Sequence, residues 1–205
     1  MRFAARKIRF GPRPASDDED QDEDGLPTPH RLKLQRRRAM AIREARELLA
    51  ELPGPGEAVH CLMSRRMDLA DVLGVIIERV GKCKRLAIAT LGYHARNLRQ
   101  LLAWMDAGTV AELTMLASVF FRSHNGALWE RTQAEFAARG QRCACASSHA
   151  KVCTLAFESG ERYVIEGSSN LCGNGSAREQ FALIRDDGLH DWHRAWIVEM
   201  VTKHG

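Results

Sequence analysis

The stretch Arg85–Phe121, RLAIATLGYHARNLRQLLAWMDAGTVAELTMLASVFF, decides how the rest of the chain is read. Arg85 to Thr90 is a short apolar strand. His94 to Met105 repeats its apolar residues at helical spacing and stops near Gly108, and Val110 to Phe121 holds the next strand. Strand, helix and strand in succession imply two parallel strands joined by a helix that covers one face of the sheet.

The same alternation extends in both directions. Upstream, Ala58 to Met63 reads as a strand and Asp68 to Val80 as an amphipathic helix with Asp68 as its N-cap. Downstream, Gly126 to Ala138 reads as a helix ended by Gly140, and Arg142 to Ala146 as a strand. Ala150 to Phe157 and Arg162 to Glu166 form a hairpin around Ser159-Gly160. Glu179 to Arg185 is the last strand, and Leu189 to Lys203 a closing helix with Trp192, Trp196 and Met200 on one side. The expected class is α/β: a mixed, mostly parallel sheet flanked by helices on both faces.

Ahead of this domain, Arg31 to Leu52 reads as a helix. Its apolar positions Leu34, Ile42, Ala45, Leu48, Leu49 and Leu52 need a cover, and Pro53-Gly54-Pro55-Gly56 stops it. Packing on the main domain or pairing with a partner is favoured over lying on DNA. Residues 1–30 combine like-charge blocks with four prolines and few large apolar side chains, so a disordered tail is expected. The division is therefore 1–30 tail, 31–57 helix and linker, 58–205 main domain.

The chain has 205 residues, 45% of them hydrophobic, enough for a core. Its net charge of +4 hides segregation: residues 1–15 carry five Arg or Lys and no acid, Asp17–Asp24 seven acids and no base. Basic segments suit nucleic acid or another polyanion, and blocks that neutralise each other in a solvated tail fit equally. No apolar run approaches the roughly 20 residues of a membrane span, and the basic N-terminus lacks the apolar stretch of a secretory signal. A soluble, cytoplasmic protein without a membrane partner is expected. Six cysteines in such a chain are expected to be reduced. Cys143-x-Cys145 near His149 lacks the usual zinc spacing, so no metal and no cofactor are expected.

Two short segments carry chemistry: His149-Ala150-Lys151 and Gly167-Ser168-Ser169-Asn170. Residues two apart on a strand share a face, and the hairpin between the segments returns Ser168 and Asn170 to that face. A nucleophile, a fixed positive charge and two neutral hydrogen-bonding groups then converge, a set able to attack a phosphate ester. Glu179, at the start of the next strand, adds a carboxylate.

This set resembles the phospholipase D superfamily, whose signature is H-x-K-x4-D followed by G-S-x-N, in its single-motif, nuclease-like branch. The resemblance covers Ser148 to Leu183 in detail and implies a phospholipase D-like catalytic domain over 58–205. In that branch a glutamate follows the asparagine in the next strand, the place of Glu179. His149 would attack phosphorus and form a phosphohistidine, since neutral imidazole is nucleophilic at pH 7. Glu179 would hold the ring's other nitrogen. Lys151, Ser168 and Asn170 would stabilise the non-bridging oxygens. The resemblance further implies a second motif, and this chain has one H-x-K. A two-fold homodimer would supply the other copy, with His94 or His124 as the alternative acid. The family's aspartate falls on Ala156, a departure that admits an inactive copy of the fold.

Three early strand ends carry further polar groups: Arg65 and Arg66, His94 and Arg96, Arg122 and His124. They are the candidate substrate-binding rim at the carboxyl ends of the strands. The expected activity is metal-independent phosphodiester cleavage, with DNA or RNA as substrate. A lipid phosphodiesterase and an inactive nucleic-acid-binding or assembly module are the competing readings.

Overall fold

Short polar side chains start the helices where the sequence offers them. Asp68 accepts from Asp71 N and Asp71 accepts from Asp68 N, each at 3.2 Å, a reciprocal cap that opens the first helix of the alternation. The structure, a computed structural model, describes residues 29–172 and 178–205, and side chains from residue 36 onward. The expected disordered tail lies, as far as residue 28, outside the described residues.

The elements are α1 (Pro29–Leu48), β1 (Ala58–Leu62), α2 (Leu69–Val80), β2 (Cys83–Thr90), α3 (Ala95–Asp106), β3 (Val110–Ser118) and α4 (Val119–His124). They continue as α5 (Gly126–Ala138), β4 (Arg142–Ala146), β5 (Val152–Phe157), β6 (Arg162–Gly167), β7 (Gln180–Ile184) and α6 (Asp187–His204). Seven strands form one mixed sheet in the order β1-β7-β6-β5-β2-β3-β4. β2, β3 and β4 are parallel neighbours. The other four pairings are antiparallel, a larger share than the alternation predicts, because β1 pairs with β7 at the far edge instead of with β2.

Period-two alternation sorts the strand residues between two layers. Leu86, Ile88, Leu113, Met115, Leu155 and Ile165 face the core shared with α2, α3 and α5. Ala87, Ala89, Leu116, Ala144, Ala146 and Val164 face α6, which packs Ile197 and Val201 onto them. The alanines on this second face let one helix lie close across several strands. Ala41 and Ala45 of α1, with Leu49 just past it, join the first core. Arg46 reaches Glu78 of α2 with two bonds of 2.9 Å. The N-terminal helix is thus packed on the domain.

Several boundaries differ from expectation. α1 begins at Pro29, two residues inside the expected tail, where proline suits a first helical position. It ends at Leu48, four residues before the expected Leu52. β5 starts at Val152 and not at Ala150, so His149 and Lys151 precede the strand and do not share a strand face. The strand expected over Val110–Phe121 stops at Ser118. The Ser118 hydroxyl accepts from Phe120 N at 3.2 Å and turns the following residues into α4.

Candidate active site

One edge of the sheet collects the chain ends from which the site is built. β2, β3 and β4 finish there at Thr90, Ser118 and Ala146. β5 runs against β2, with Val152 opposite Ala89, so it starts at that edge. Glu166 lies opposite Val152, Phe181 opposite Gly167 and Gln180 opposite Leu62, so β6 ends, β7 begins and β1 ends there as well. The segments flanking these ends carry the five motif residues and the six rim residues singled out from the sequence.

The link from β4 to β5 must cross the ends of β3 and β2, which lie between them. Three strand spacings amount to about 14 Å, and the chain from Ala146 to Val152 spans at most about 20 Å. The linker therefore runs across the strand ends with little slack, and exposed His149 is at its midpoint. Lys151 Nζ lies 3.1 Å from His149 Nδ1 and donates to the His149 carbonyl at 3.0 Å. Partial burial pushes the Lys151 ammonium pKa down, and the nearby Glu179 carboxylate opposes that shift. With Lys151 as donor, His149 Nδ1 is an acceptor and the neutral ring carries its proton on Nε2.

Gly167 is required where it stands. A Cβ there would lie 2.2 Å from Gln180 O and 2.7 Å from Phe181 Cα. That close approach lets Ser168 N donate to Gln180 O at 3.0 Å and Gly167 N to Lys151 O at 3.3 Å. The Ser168 hydroxyl donates to Glu179 and accepts from Gln180 N at 3.1 Å. Ser168 thus holds the Glu179 carboxylate, and Glu179 is bonded to serine where the sequence suggested the imidazole. Past Ser168, Leu171 N donates to Thr90 Oγ1 at 3.1 Å, and Ala70 N to Leu171 O at 3.3 Å. These anchors fix the half-buried Asn170, whose carboxamide oxygen is buried with no hydrogen-bond partner among the described residues.

The rim is divided. Arg65 and Arg122 are exposed and enter no ion pair among the described residues. Arg66 is held by Glu44 at 3.0 Å and Arg96 by the buried carboxylate of Asp68. Two of the expected phosphate contacts are thus committed to structural carboxylates. His94 is exposed at the N-terminus of α3. His124 Nδ1 lies 2.8 Å from the Phe120 carbonyl. Thr90 and Glu44, which help position these groups, carry no motif and went unrecognised in the sequence, and Asp68, read there as a cap, also holds Arg96.

Asp71 sits behind Arg96. Burial and then the adjacent Asp68 raise its pKa to about 7, and its Oδ1 is buried without a hydrogen-bond partner among the described residues. A carboxyl raised in the folded state binds its proton more tightly there than in the unfolded chain, so stability falls as pH rises from about 4 to about 7. Asp71→Asn should flatten that fall, read as the difference between the two proteins' denaturant midpoints across this range.

Ala156 lies in β5 between Arg85 of β2 and Arg162 of β6. It is buried, and Arg85 Nε has no hydrogen-bond partner among the described residues. Asp191 of α6 reaches Arg162 at 3.0 Å, and both arginines hold its carboxyl pKa down, after the larger effect of His190. The position is five residues along the chain from Lys151, about 16 Å away, so its side chain lies far from the motif residues. Among the described residues no three His, Cys, Asp or Glu side chains are placed to hold a metal ion. No described helix is long and apolar enough to cross a membrane.

Comparison with known proteins rests on shape alone. No family model matches the chain, and no curated protein matches it in sequence. Among solved structures, Nuc from Salmonella typhimurium, a phospholipase D family member, matches 73% of this chain and 97% of its own, with a TM-score of 0.50 at 13% identity. Polyphosphate kinase from Porphyromonas gingivalis also gives a TM-score of 0.50, at 12% identity, over 73% of this chain and 26% of its own. The chain has a phospholipase D superfamily fold.

Proposed function

We propose that this protein is a phosphodiesterase that cleaves DNA or RNA through a covalent phosphohistidine at His149, without a metal ion, as a cytoplasmic homodimer. The observation that carries the reading is the cluster at the sheet edge: Lys151 Nζ beside His149 Nδ1, and Glu179 within electrostatic reach of Lys151. Its polar groups serve phosphate better than a metal or a carbonyl. Exposed Arg65 and Arg122 on the same edge support a polyanionic substrate. Six free cysteines, with burial pushing Cys83, Cys143 and Cys153 up to about 12, suit a reducing compartment.

An arriving phosphate draws Lys151 from the ring to its own non-bridging oxygens, where charge grows in the transition state. Nδ1 is then open to a carboxylate and takes the ring proton, a role assigned to Glu179. The Nε2 lone pair attacks phosphorus while the bond to the leaving oxygen breaks. That oxygen takes a proton from an acid, assigned to the same histidine of a second copy. Water then attacks the same phosphorus and gives a proton to that second histidine, the Nε2–P bond breaks, and the phosphorylated product leaves with the imidazole restored. Asn170, held at the same edge, completes the oxyanion contacts by turning its carboxamide nitrogen inward.

The direct test incubates the protein with labelled single- and double-stranded DNA and RNA in excess EDTA. Cleavage is expected. Loss of cleavage on adding EDTA would overturn the metal-free mechanism, and monomer-only light scattering at full activity would overturn the dimer. A separate expectation concerns the tail. α1 supplies Ala41 and Ala45 to the core, so a truncation must stop before Pro29. Deleting residues 1–28 should reduce the salt dependence of binding, for each lost phosphate contact by about 0.9 in the log–log slope on a duplex and about 0.7 on a single strand. An unchanged slope would remove the tail from substrate binding.

A further inference from the structure

Phe120 holds an aromatic ring out in water on a rigid support. Its relative exposure is 58%, on the first turn of α4, directly after the end of β3. One exposed aromatic is ordinary on a protein surface. Here three further features accompany it. The His124 ring lies against it, with centroids 4.2 Å apart and planes 36° from parallel. That imidazole is fixed by its Nδ1, which sits 2.8 Å from Phe120 O and 3.0 Å from Ser123 Oγ. The next residue, Phe121, is buried and stacks on Tyr93 at 4.3 Å, which anchors α4 to the core. One side of the Phe120 ring is therefore covered and the rest is open.

The location ties this ring to the reacting groups. Ser118, two residues before Phe120, pairs with Ala146, and the linker bearing His149 leaves from Ala146 across the end of β3. Phe120 thus lies at most about 22 Å from His149, at the same sheet edge. Its exposed neighbours are Arg122, Ser123, His124 and Asn125, basic and polar side chains that suit a phosphodiester backbone better than acyl chains. A flat aromatic face beside positive charge is the arrangement on which unpaired bases stack.

We propose that Phe120, backed by His124, is a stacking platform for an unpaired nucleobase a few nucleotides from the phosphate held at His149, and that it selects single-stranded or locally opened nucleic acid. In a duplex both faces of each base are already stacked, so the platform has nothing to take. This inference rests on the nuclease reading and names its substrate class.

The test compares the full-length protein with its Phe120→Ala and Phe120→Trp variants in EDTA, on one oligonucleotide presented single-stranded and as a duplex. Binding of the single strand is measured in parallel by fluorescence anisotropy. Phe120→Ala should raise KM and Kd for the single strand by about 5- to 150-fold, leave kcat within a few fold, and leave duplex cleavage unchanged. Phe120→Trp should restore binding. Equal single-strand affinity for wild type and Phe120→Ala would overturn the platform even where cleavage persists. Phe120-dependent binding to phosphatidylglycerol vesicles with no effect on the oligonucleotide would also overturn it, in favour of a lipid surface. Phe120-dependent binding of the single strand without cleavage would support the platform and instead overturn the nuclease reading.

Discussion

His149→Ala is expected to abolish phosphodiester cleavage, by on the order of 10^4-fold or more in kcat, with no change in thermal stability. The size follows from the role: removing a covalent nucleophile leaves only what binding and oxyanion contacts can do. The unchanged stability follows from the position. His149 is exposed at the middle of the linker between β4 and β5, and among the described residues its side chain hydrogen-bonds only to Lys151. Intact melting with lost turnover is the signature of a reacting group. Turnover that survives within a few fold would move the nucleophile elsewhere and leave the fold as a binding module. Saturating EDTA should leave the wild-type rate unchanged.

Gly167→Ala should damage both fold and chemistry. A methyl group at that position meets Gln180 O at 2.2 Å and Phe181 Cα at 2.7 Å, and both are backbone atoms that cannot swing aside. β7 has to move away from β6, at a cost of about 3 kcal/mol, the upper part of the usual range for overpacking. The same movement pulls Ser168 N from Gln180 O and shifts Glu179 relative to Lys151, so activity should fall with stability. Gly126→Ala is the control: nothing lies within 4 Å of its Cβ position, and its effect should be neutral or slightly favourable. Denaturant melts of the two variants give the comparison, and equal midpoints would show that β6 and β7 are less closely apposed than described.

Much of this architecture was legible in the sequence because it is local. Asp68 as a cap, the hairpin around Ser159-Gly160 and the helix from Gly126 depend on residues a few positions apart. Pairing is not local. Nothing in Ala58–Leu62 says that its partner is Gln180–Ile184 and not the next strand in order, which is why the antiparallel share exceeds expectation. The apolar run after Leu116 continues a strand by composition, and in the structure the Ser118 hydroxyl caps its turn into α4. That turn also exposes Phe120, which in the sequence looks like core.

The site was legible in its groups and less so in their contacts. His149, Lys151, Ser168, Asn170 and Glu179 lie at one sheet edge, but His149 and Lys151 stand in the linker before β5 and not on the strand face that their spacing suggested. The partners of the rim arginines were hidden, because Glu44 lies 22 positions from Arg66 and Asp68 28 from Arg96. Ala156 gains meaning only from register, which sets it between Arg85 and Arg162, with Asp191 brought in from α6.

The central claim is a covalent bond between His149 and phosphorus. The measurement is a rapid quench, in EDTA and strong base, of wild-type protein turning over a labelled single-stranded oligonucleotide, followed by peptide mass analysis. The prediction is an oligonucleotide adduct on the peptide containing His149, stable to base, lost in acid, and absent from His149→Ala. Turnover without an adduct, or an acid-stable adduct on Ser168 or any other residue, would contradict it.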